Sequence, residues 1–443
     1  MAAAPIPIEA PSVPLAAQIA AETRQSASAW WVLGLLFLIY TTWSIDRAVP
    51  SIVAEQVKKT FALSDGQLGL FSGLVYGLSF GFGALISGPL VDYFNRARLL
   101  ATLVVLWSGL TALGGLASTY VVLIATRFGV GGAEAGGEPA ALSLIADLFP
   151  VRRRATAIGL FKMGTPIGLL IASTLCGYLT SYHGWRTAFL IAGVPGVFLA
   201  FAAWRWLPNP PRGQFDHPGI VRRPLTLREV FGLIGRSGVL ICLLIGAILF
   251  YFANSGPTAF LVAYLQRIHG ISLVAASTWY GVASAIGTAG PLLAGLLADR
   301  LVLGGIHRSI WLLTALSLLA FATGVVMVLA GEVWIVLGAM ICWQIVAVSL
   351  STPTFAALLA LSPAEARGTT TALLLICMYL LGIGPGPYAA GLLSDLLGGG
   401  PNLRYALALQ LGLNLVASVM FFAAASLLRT RAYPASGQKG SVA

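Results

Sequence analysis

Charge is what this 443-residue chain has least of. Asp, Glu, Lys and Arg together make up 9% of it, against about 25% in a soluble domain. Apolar residues make up 58%, and the mean hydropathy is +0.88. No water-soluble fold covers that much apolar surface, so the solvent for most of the chain is lipid. Cysteine and histidine are also scarce, at four each. Cys176, Cys242, Cys342 and Cys377 fall inside apolar runs, without CxxC spacing or a His cluster, and read as small buried apolar residues rather than metal ligands or disulfides. His183, His217, His269 and His307 all lie in connections, and no Ser/His/Asp arrangement or phosphate loop accompanies them. Neither an enzyme nor a cofactor site is expected. A leader with a basic start and an apolar core is missing as well. Residues 1–28, Ala- and Pro-rich with Glu9, Glu22 and Arg24, read instead as a disordered tail ahead of a retained first span.

What is present is a series of long apolar runs. A helix needs roughly 20 residues to cross a bilayer, and twelve runs qualify: 29–51, 66–92, 98–118, 120–148, 153–181, 186–206, 237–266, 274–299, 308–330, 332–361, 367–397 and 402–428. The expected organisation is a six-helix bundle over 29–206, a polar, basic linker over 207–236, a second six-helix bundle over 237–428 and a tail over 429–443. The N-terminal tail, the even-numbered connections and the C-terminus hold seventeen of the 26 Lys and Arg, the odd-numbered connections five. By the positive-inside rule both termini are cytoplasmic, in an inner (plasma) membrane protein. The net charge of +11 is thereby explained without a nucleic-acid partner.

The halves repeat. "GPLVDYFNRAR" (88–98) echoes "GLLADRLVLGGIHR" (295–308), with Gly88 and Asp92 matching Gly295 and Asp299 at the same offset of 207. "PVRRRATA" and "PAEARGTTTA" correspond in the same way. Parallel six-span repeats are the architecture of the major facilitator fold, so the expected class is an all-α membrane protein of twelve helices in two pseudo-two-fold bundles.

Ionisable residues well inside the spans are few and belong to the N-terminal half: Asp46 and Arg47 in span 1, Arg127, Glu134 and Glu138 in span 4, and Lys162 in span 5. Each would cost roughly 2.5–3.5 kcal/mol at the bilayer centre and is a functional candidate by default. At about 100° per residue, Arg127, Glu134 and Glu138 share one stripe. Counting from the cytoplasmic side, Glu138 and Lys162 lie about 15 Å deep and within reach of each other. Asp46 and Arg47 lie near mid-membrane with Glu134, diverging by about 100° and so needing different partners. Arg127, Glu138 and Lys162 are expected to form a buried charge network. Asp92, Arg96 and Arg98, with Asp299 and Arg300, sit at span ends and read as a cytoplasmic gate. "GIGPGP" (382–387) and "GTPIG" (164–168) are Gly/Pro interruptions of the kind that line transporter cavities.

"GPLVDYFNRAR" resembles the loop signature of the major facilitator superfamily, with Tyr93 and Asn95 in place of the usual Arg and Gly. More narrowly, "SIDRAVP", "FALSDGQLGLFSGLVYGL", "RFGVGGAEAGGEPAALSLIADLFP", "RRRATAIGLFKMGTPIG" and "GWRTAFLIAGVPG" resemble the Spinster family, especially its bacterial branch. The C-terminal half agrees through "AYLQRIHGISL" and "PTFAALLALSPAEARG". The resemblance implies a proton-coupled or facilitative transporter of amphiphiles; vertebrate members move sphingosine phosphate and lysophospholipids. It implies proton-sensitive carboxyls at Asp46 and Glu134 and an anion-engaging arginine at Arg47. Ala133 stands where the family usually has Gly. Glu138 and Lys162 are outside that pattern.

The residues lean the same way. A charged N-terminal half faces an uncharged C-terminal half with Tyr251, Asn254, Tyr264, Trp279 and Trp343, which suits a molecule with an anionic head and an apolar tail. Arg47, Tyr251 and Asn254 are the expected substrate contacts, and protons and the bilayer the other partners, in a monomeric protein. The alternatives are a proton symporter of small organic anions, which has a similar "RF…EA…FP" span 4 and "GWR", and a non-transporting membrane receptor.

Overall fold

In lipid every backbone polar group must find its partner within the protein, and a helix does so along its own length. The computed structural model describes residues 15–212, 227–363 and 366–432, and among these it is helical with no strand. Eleven continuous spans run Ser28–Ile52, Asp65–Tyr93, Arg96–Gly115, Arg152–His183, Trp185–Trp206, Gly238–His269, Leu273–Val302, Ile306–Leu329, Val333–Leu361, Thr369–Leu396 and Gly400–Arg429. They are spans 1–3 and 5–12. Span 4 is two shorter helices, Tyr120–Glu134 and Gly137–Leu148. The break at 135–136 follows Glu134 directly. Pro139 then falls in the first turn of the second piece, where its missing N–H costs no helical hydrogen bond.

The helix of span 1 begins at Leu15, inside the segment expected as a tail, and runs through Pro50 to Ile52 before a second helix, Ala54–Phe61. Residues 1–14, most of the expected linker (213–226) and 433–443 lie outside the described residues. The described end of the linker forms the helix Leu227–Gly235. Several starts are written locally. Ser64 and Gln67 form a reciprocal capping box at span 2, and Asn95, Thr119, Ser237 and Ser272 cap spans 3, 4, 7 and 8 with their side chains. Each cap satisfies a backbone N–H that the helix leaves open.

The six-helix halves each enclose a buried tryptophan, Trp107 and Trp343. They meet along spans 1 and 7, 2 and 11, and 5 and 8. The face bearing residues 94–95, 149–150 and the start of the linker is the linker face. On the opposite face the largest apolar cluster joins both halves, with Val57, Phe71 and Phe189 from one and Tyr264, Met340 and Leu407 from the other. Spans 2 and 11 approach closely there. A Cβ at Gly69 would lie 2.1 Å from the Pro387 carbonyl oxygen, and one at Gly391 2.1 Å from that of Asp65. Only glycine allows that contact.

Candidate functional site

Between the halves lies a cavity of about 1500 Å³, its open mouth included. The N-terminal half supplies Trp43, Arg47, Tyr76 and Arg127 to its wall, and the C-terminal half Tyr251, Asn254, Ser255, Tyr280 and Gln344. All its charge is on one side.

Arg47 enters from span 1 with its guanidinium among four aromatic rings. Trp43 is 4.8 Å from it, Tyr76 5.3 Å, Tyr379 5.6 Å and Phe80 6.0 Å, measured to ring centroids. Arg47 Nη2 donates to the Tyr379 hydroxyl at 3.1 Å. The ring faces hold the cation by their quadrupoles, and it stays partly exposed to the cavity.

Tyr76 is the hub that sequence alone did not flag. Its hydroxyl donates to Glu134 Oε2 at 2.6 Å, and Arg127 lies over its ring at 5.3 Å. Arg127 and Glu134, two turns apart on span 4, thus converge on one phenol. Arg47 and Glu134 are within electrostatic reach of each other, as are Asp46 and both Glu134 and Arg127. The structure therefore brings Asp46, Arg47, Arg127 and Glu134 into one cluster. Within it, Asp46 is fully buried. Among the described residues neither of its carboxyl oxygens has a hydrogen-bond partner, nor has Glu134 Oε1, nor have Arg127 Nε and Nη1. A buried charged group without a partner calls for an explanation, and a functional role is one.

Glu138 lies beyond the break in span 4 and belongs to a separate group nearer the linker face. It pairs with Lys162 of span 5, Tyr40 donates to its Oε2 at 3.3 Å, and Lys162 donates to Tyr40 at 3.1 Å. Lys162 and Glu138 are partly exposed, so this pair is a solvated brace between spans 1, 4 and 5. The "GTPIG" interruption serves the same contact: a Cβ at Gly168 would lie 2.4 Å from the Thr41 carbonyl oxygen.

In the C-terminal half, Tyr251 and Asn254 both line the cavity, and the Asn254 amide is also engaged by its neighbours. Its Nδ2 donates to the Phe250 carbonyl at 2.8 Å and to Asn414 Oδ1 at 2.9 Å, and its Oδ1 accepts from Trp343 Nε1 at 3.0 Å. Asn254 and Trp343 hold spans 7, 10 and 12 together, and Tyr264 is likewise buried with its hydroxyl on the Met327 carbonyl at 2.9 Å. Trp279 is partly buried against the apolar cluster.

The residues read as a cytoplasmic gate do not form one group. Arg96 is buried inside the N-terminal half, where it pairs with Asp147, donates to Ser143 Oγ at 2.9 Å and to the Pro210 carbonyl at 2.6 Å. It clamps the start of the linker to spans 3 and 4. Asp92 is exposed, 3.7 Å from Arg212 of the linker, and Arg98 is exposed. Asp299 and Arg300 are exposed at the end of span 8. Asp147→Ala strips the buried Arg96 of its counter-charge, a change that costs about 3–5 kcal/mol. A clearly lowered melting temperature in detergent is the expected result.

The face opposite the linker carries a network that sequence reading did not assemble. Arg267, in the last turn of span 7, donates from Nε to Glu55 at 2.6 Å and from Nη1 to Asp65 Oδ2 at 2.9 Å. Lys58 also pairs with Asp65, and Ser394 donates to it at 2.6 Å. Asp395 of span 11 accepts from the backbone N–H groups of Asp65 and Gly66 at 2.8 and 2.7 Å, at the start of span 2. A carboxylate there also meets the positive end of the helix dipole. The signal in the sequence was a capping box, S-D-G-Q, between acids and bases of matching depth.

The Major Facilitator Superfamily model matches residues 32–385. An MFS-type efflux pump of Mycolicibacterium smegmatis is 29% identical over 384 residues, 83% of this chain and 85% of the pump. A protein of Bacillus subtilis described as a probable galactarate/D-glucarate transporter is 27% identical, over 64% of this chain and 67% of that one. Among solved structures, a bacterial homologue of the human lysosomal transporter Spinster, inward-facing and unoccupied, superposes with a TM-score of 0.80 at 26% identity, covering 92% of this chain and 99% of that one. With the family model spanning both halves and the fold superposing end to end, the chain belongs to the major facilitator superfamily and is a Spinster-like membrane transporter.

Proposed function

We propose that this transporter works by alternating access, couples to protons, and moves an amphiphilic anion such as a lysolipid or a sphingoid phosphate across the inner membrane. The observation that carries the reading is Arg47: one guanidinium in an aromatic cage on the charged wall of a cavity whose other wall is uncharged. An anionic head engages the guanidinium, and a hydrocarbon tail lies along Tyr251 and the aromatic surface beside it. Asp46 and Glu134 take up and release protons as the cavity changes exposure. A buried carboxyl without a partner is expensive as an anion and tolerable once protonated, so its proton moves with the access it has to water.

The excess of basic residues on the linker face supports cytoplasmic termini. With the opposite face latched by Arg267, the described conformation is then inward-facing. A second reading, a proton symporter of small organic anions, draws on the sugar-acid relative and uses the same cluster.

Thermal stabilisation of the purified protein by dodecyl phosphate, with D-glucarate as the small-anion arm, separates the two. Dodecyl phosphate is expected to stabilise the wild type, and Arg47→Ala to weaken that binding about tenfold or more, the worth of one charged hydrogen bond. Stabilisation by D-glucarate alone transfers the reading to small anions. Stabilisation by neither overturns both.

A further inference from the structure

Tyr379 is the one ring of the Arg47 cage that comes from the C-terminal half. The other three, Trp43, Tyr76 and Phe80, stand on spans 1 and 2 and move with Arg47 as one body. Tyr379 reaches across the boundary from span 11. Its hydroxyl accepts from Arg47 Nη2 at 3.1 Å, and its ring stacks on Phe80 with centroids 4.1 Å apart and planes at 29°. It is the second residue of a π-helical turn, Met378–Ile383, and its carbonyl accepts from the Gly384 N–H at 3.0 Å. Such a turn holds one extra residue and is a frequent mark of functional sites. Span 2 presses on the same turn: a Cβ at Gly77 would lie 2.4 Å from Gly384 Cα and 3.0 Å from the Tyr379 carbonyl oxygen. The backbone that carries the phenol is thus packed tightly against span 2.

We infer that the Tyr379 hydroxyl is a built-in competitor for the anion at Arg47, and is the contact by which the C-terminal half sets anion affinity. The inference rests on Arg47 being the anion receptor. A neutral hydroxyl accepting from a guanidinium lacks the opposite charge that an anionic oxygen brings, so its bond is the weaker of the two. An anion therefore displaces it, but binds less tightly than it would to an open guanidinium. The displaced hydroxyl loses its bond to the N-terminal half and leaves the Phe80 stack as the ring's remaining contact there, so occupancy of Arg47 weakens the span 2–span 11 contact at its centre. A weak neutral competitor also rejects uncharged amphiphiles, which gain nothing by displacing it.

The test is calorimetric titration of dodecyl phosphate into wild type, Tyr379→Phe and Arg47→Ala in nanodiscs, with dodecanol as the uncharged comparator. Tyr379→Phe keeps the Phe80 stack and removes the hydroxyl. It is expected to bind dodecyl phosphate about three- to tenfold tighter, the range of one net hydrogen bond, and dodecanol as wild type does. Dodecyl phosphate binding that is unchanged or weaker in Tyr379→Phe, while Arg47→Ala still loses it, overturns the inference and leaves the receptor reading intact. Tighter binding of dodecanol by the same factor also overturns it, because the gain is then one of space. Wild-type affinity in Arg47→Ala removes the receptor reading, and the inference with it. Tyr379→Leu, expected to bind more tightly too, decides the matter if the phenylalanine variant does not purify folded.

Discussion

Arg267→Ala opens the face opposite the linker. Arg267 bonds two carboxylates of the other half, Glu55 and Asp65, and its side chain is only 11% exposed while that of Asp65 is fully buried. Removing one partner of such a pair costs up to about 3–5 kcal/mol. Asp65 keeps Lys58 and Ser394 as partners, and the counter-charge is lost chiefly at Glu55. These bonds join span 7 to the start of span 2, and they are broken in any state that opens this face. The loss therefore falls on the closed arrangement alone. Three kcal/mol is a change of more than about 100-fold in the ratio of the two states. A cysteine at Thr258, on the cavity wall, reports the shift in a background where Cys176, Cys242, Cys342 and Cys377 are replaced by alanine. A membrane-impermeant maleimide added on the side of residues 53–64 is expected to label Thr258→Cys slowly in the parent and fast in the Arg267→Ala variant. Equal labelling rates show that the network does not latch the two halves.

The same latch shows what the sequence discloses and what it withholds. Lipid forces each apolar run to be a helix, so span ends emerge from hydropathy alone: 237–266 was expected where Gly238–His269 is found, and 308–330 where Ile306–Leu329 is found. The repeat at an offset of 207 already implied two bundles. Depth follows by counting, which is why Glu138 and Lys162 were placed within reach of each other. Counting does not say which faces meet across the boundary between bundles. Arg267 and Asp65 are 202 residues apart, Arg47 and Tyr379 332. Aromatics are common in apolar spans, so nothing in the composition distinguishes Tyr76 or Tyr379 from a lipid-facing ring. Charge at a span end was equally ambiguous. Arg96 looked like a gate and is an internal clamp, because Asp147, 51 residues away, packs against it. Asn254 was expected to bind substrate as an amide of the uncharged half. It lines the cavity, and its amide is also tied to Phe250, four residues back on its own helix, and to Asn414 and Trp343, partners that no spacing along one helix reveals.

Glu134→Gln is expected to uncouple transport from protons while leaving the cavity assembled. Glu134 is 1% exposed and takes one hydrogen bond, from Tyr76, on Oε2. A glutamine fits the same volume, and its amide oxygen still accepts from that phenol, so the Tyr76 hub and the two arginines around it persist. What the amide lacks is the charged form. With Glu134 ionised, its charge offsets those of Arg47 and Arg127, which both lie within electrostatic reach. With Glu134 protonated the arginines are left with less compensation and attract an anion more strongly. Under the proposed coupling the wild type passes between a state poised for the anion and a state that releases it, with the proton making the difference. The glutamine variant is held in the first. Binding of dodecyl phosphate is expected to match or exceed that of wild type, and its dependence on pH between 5 and 8 to flatten. Exchange of labelled for unlabelled substrate across proteoliposomes is expected to persist, because it needs no change of protonation. Net flux driven by a pH gradient is expected to fall about tenfold or more, a barrier increase of at least ~1.4 kcal/mol. A pH-sensitive dye trapped in the vesicles measures the accompanying proton movement. Substrate-induced proton flux at the wild-type rate in the glutamine variant removes Glu134 from the coupling step and leaves Asp46, whose buried carboxyl has no partner among the described residues, as the group that carries it.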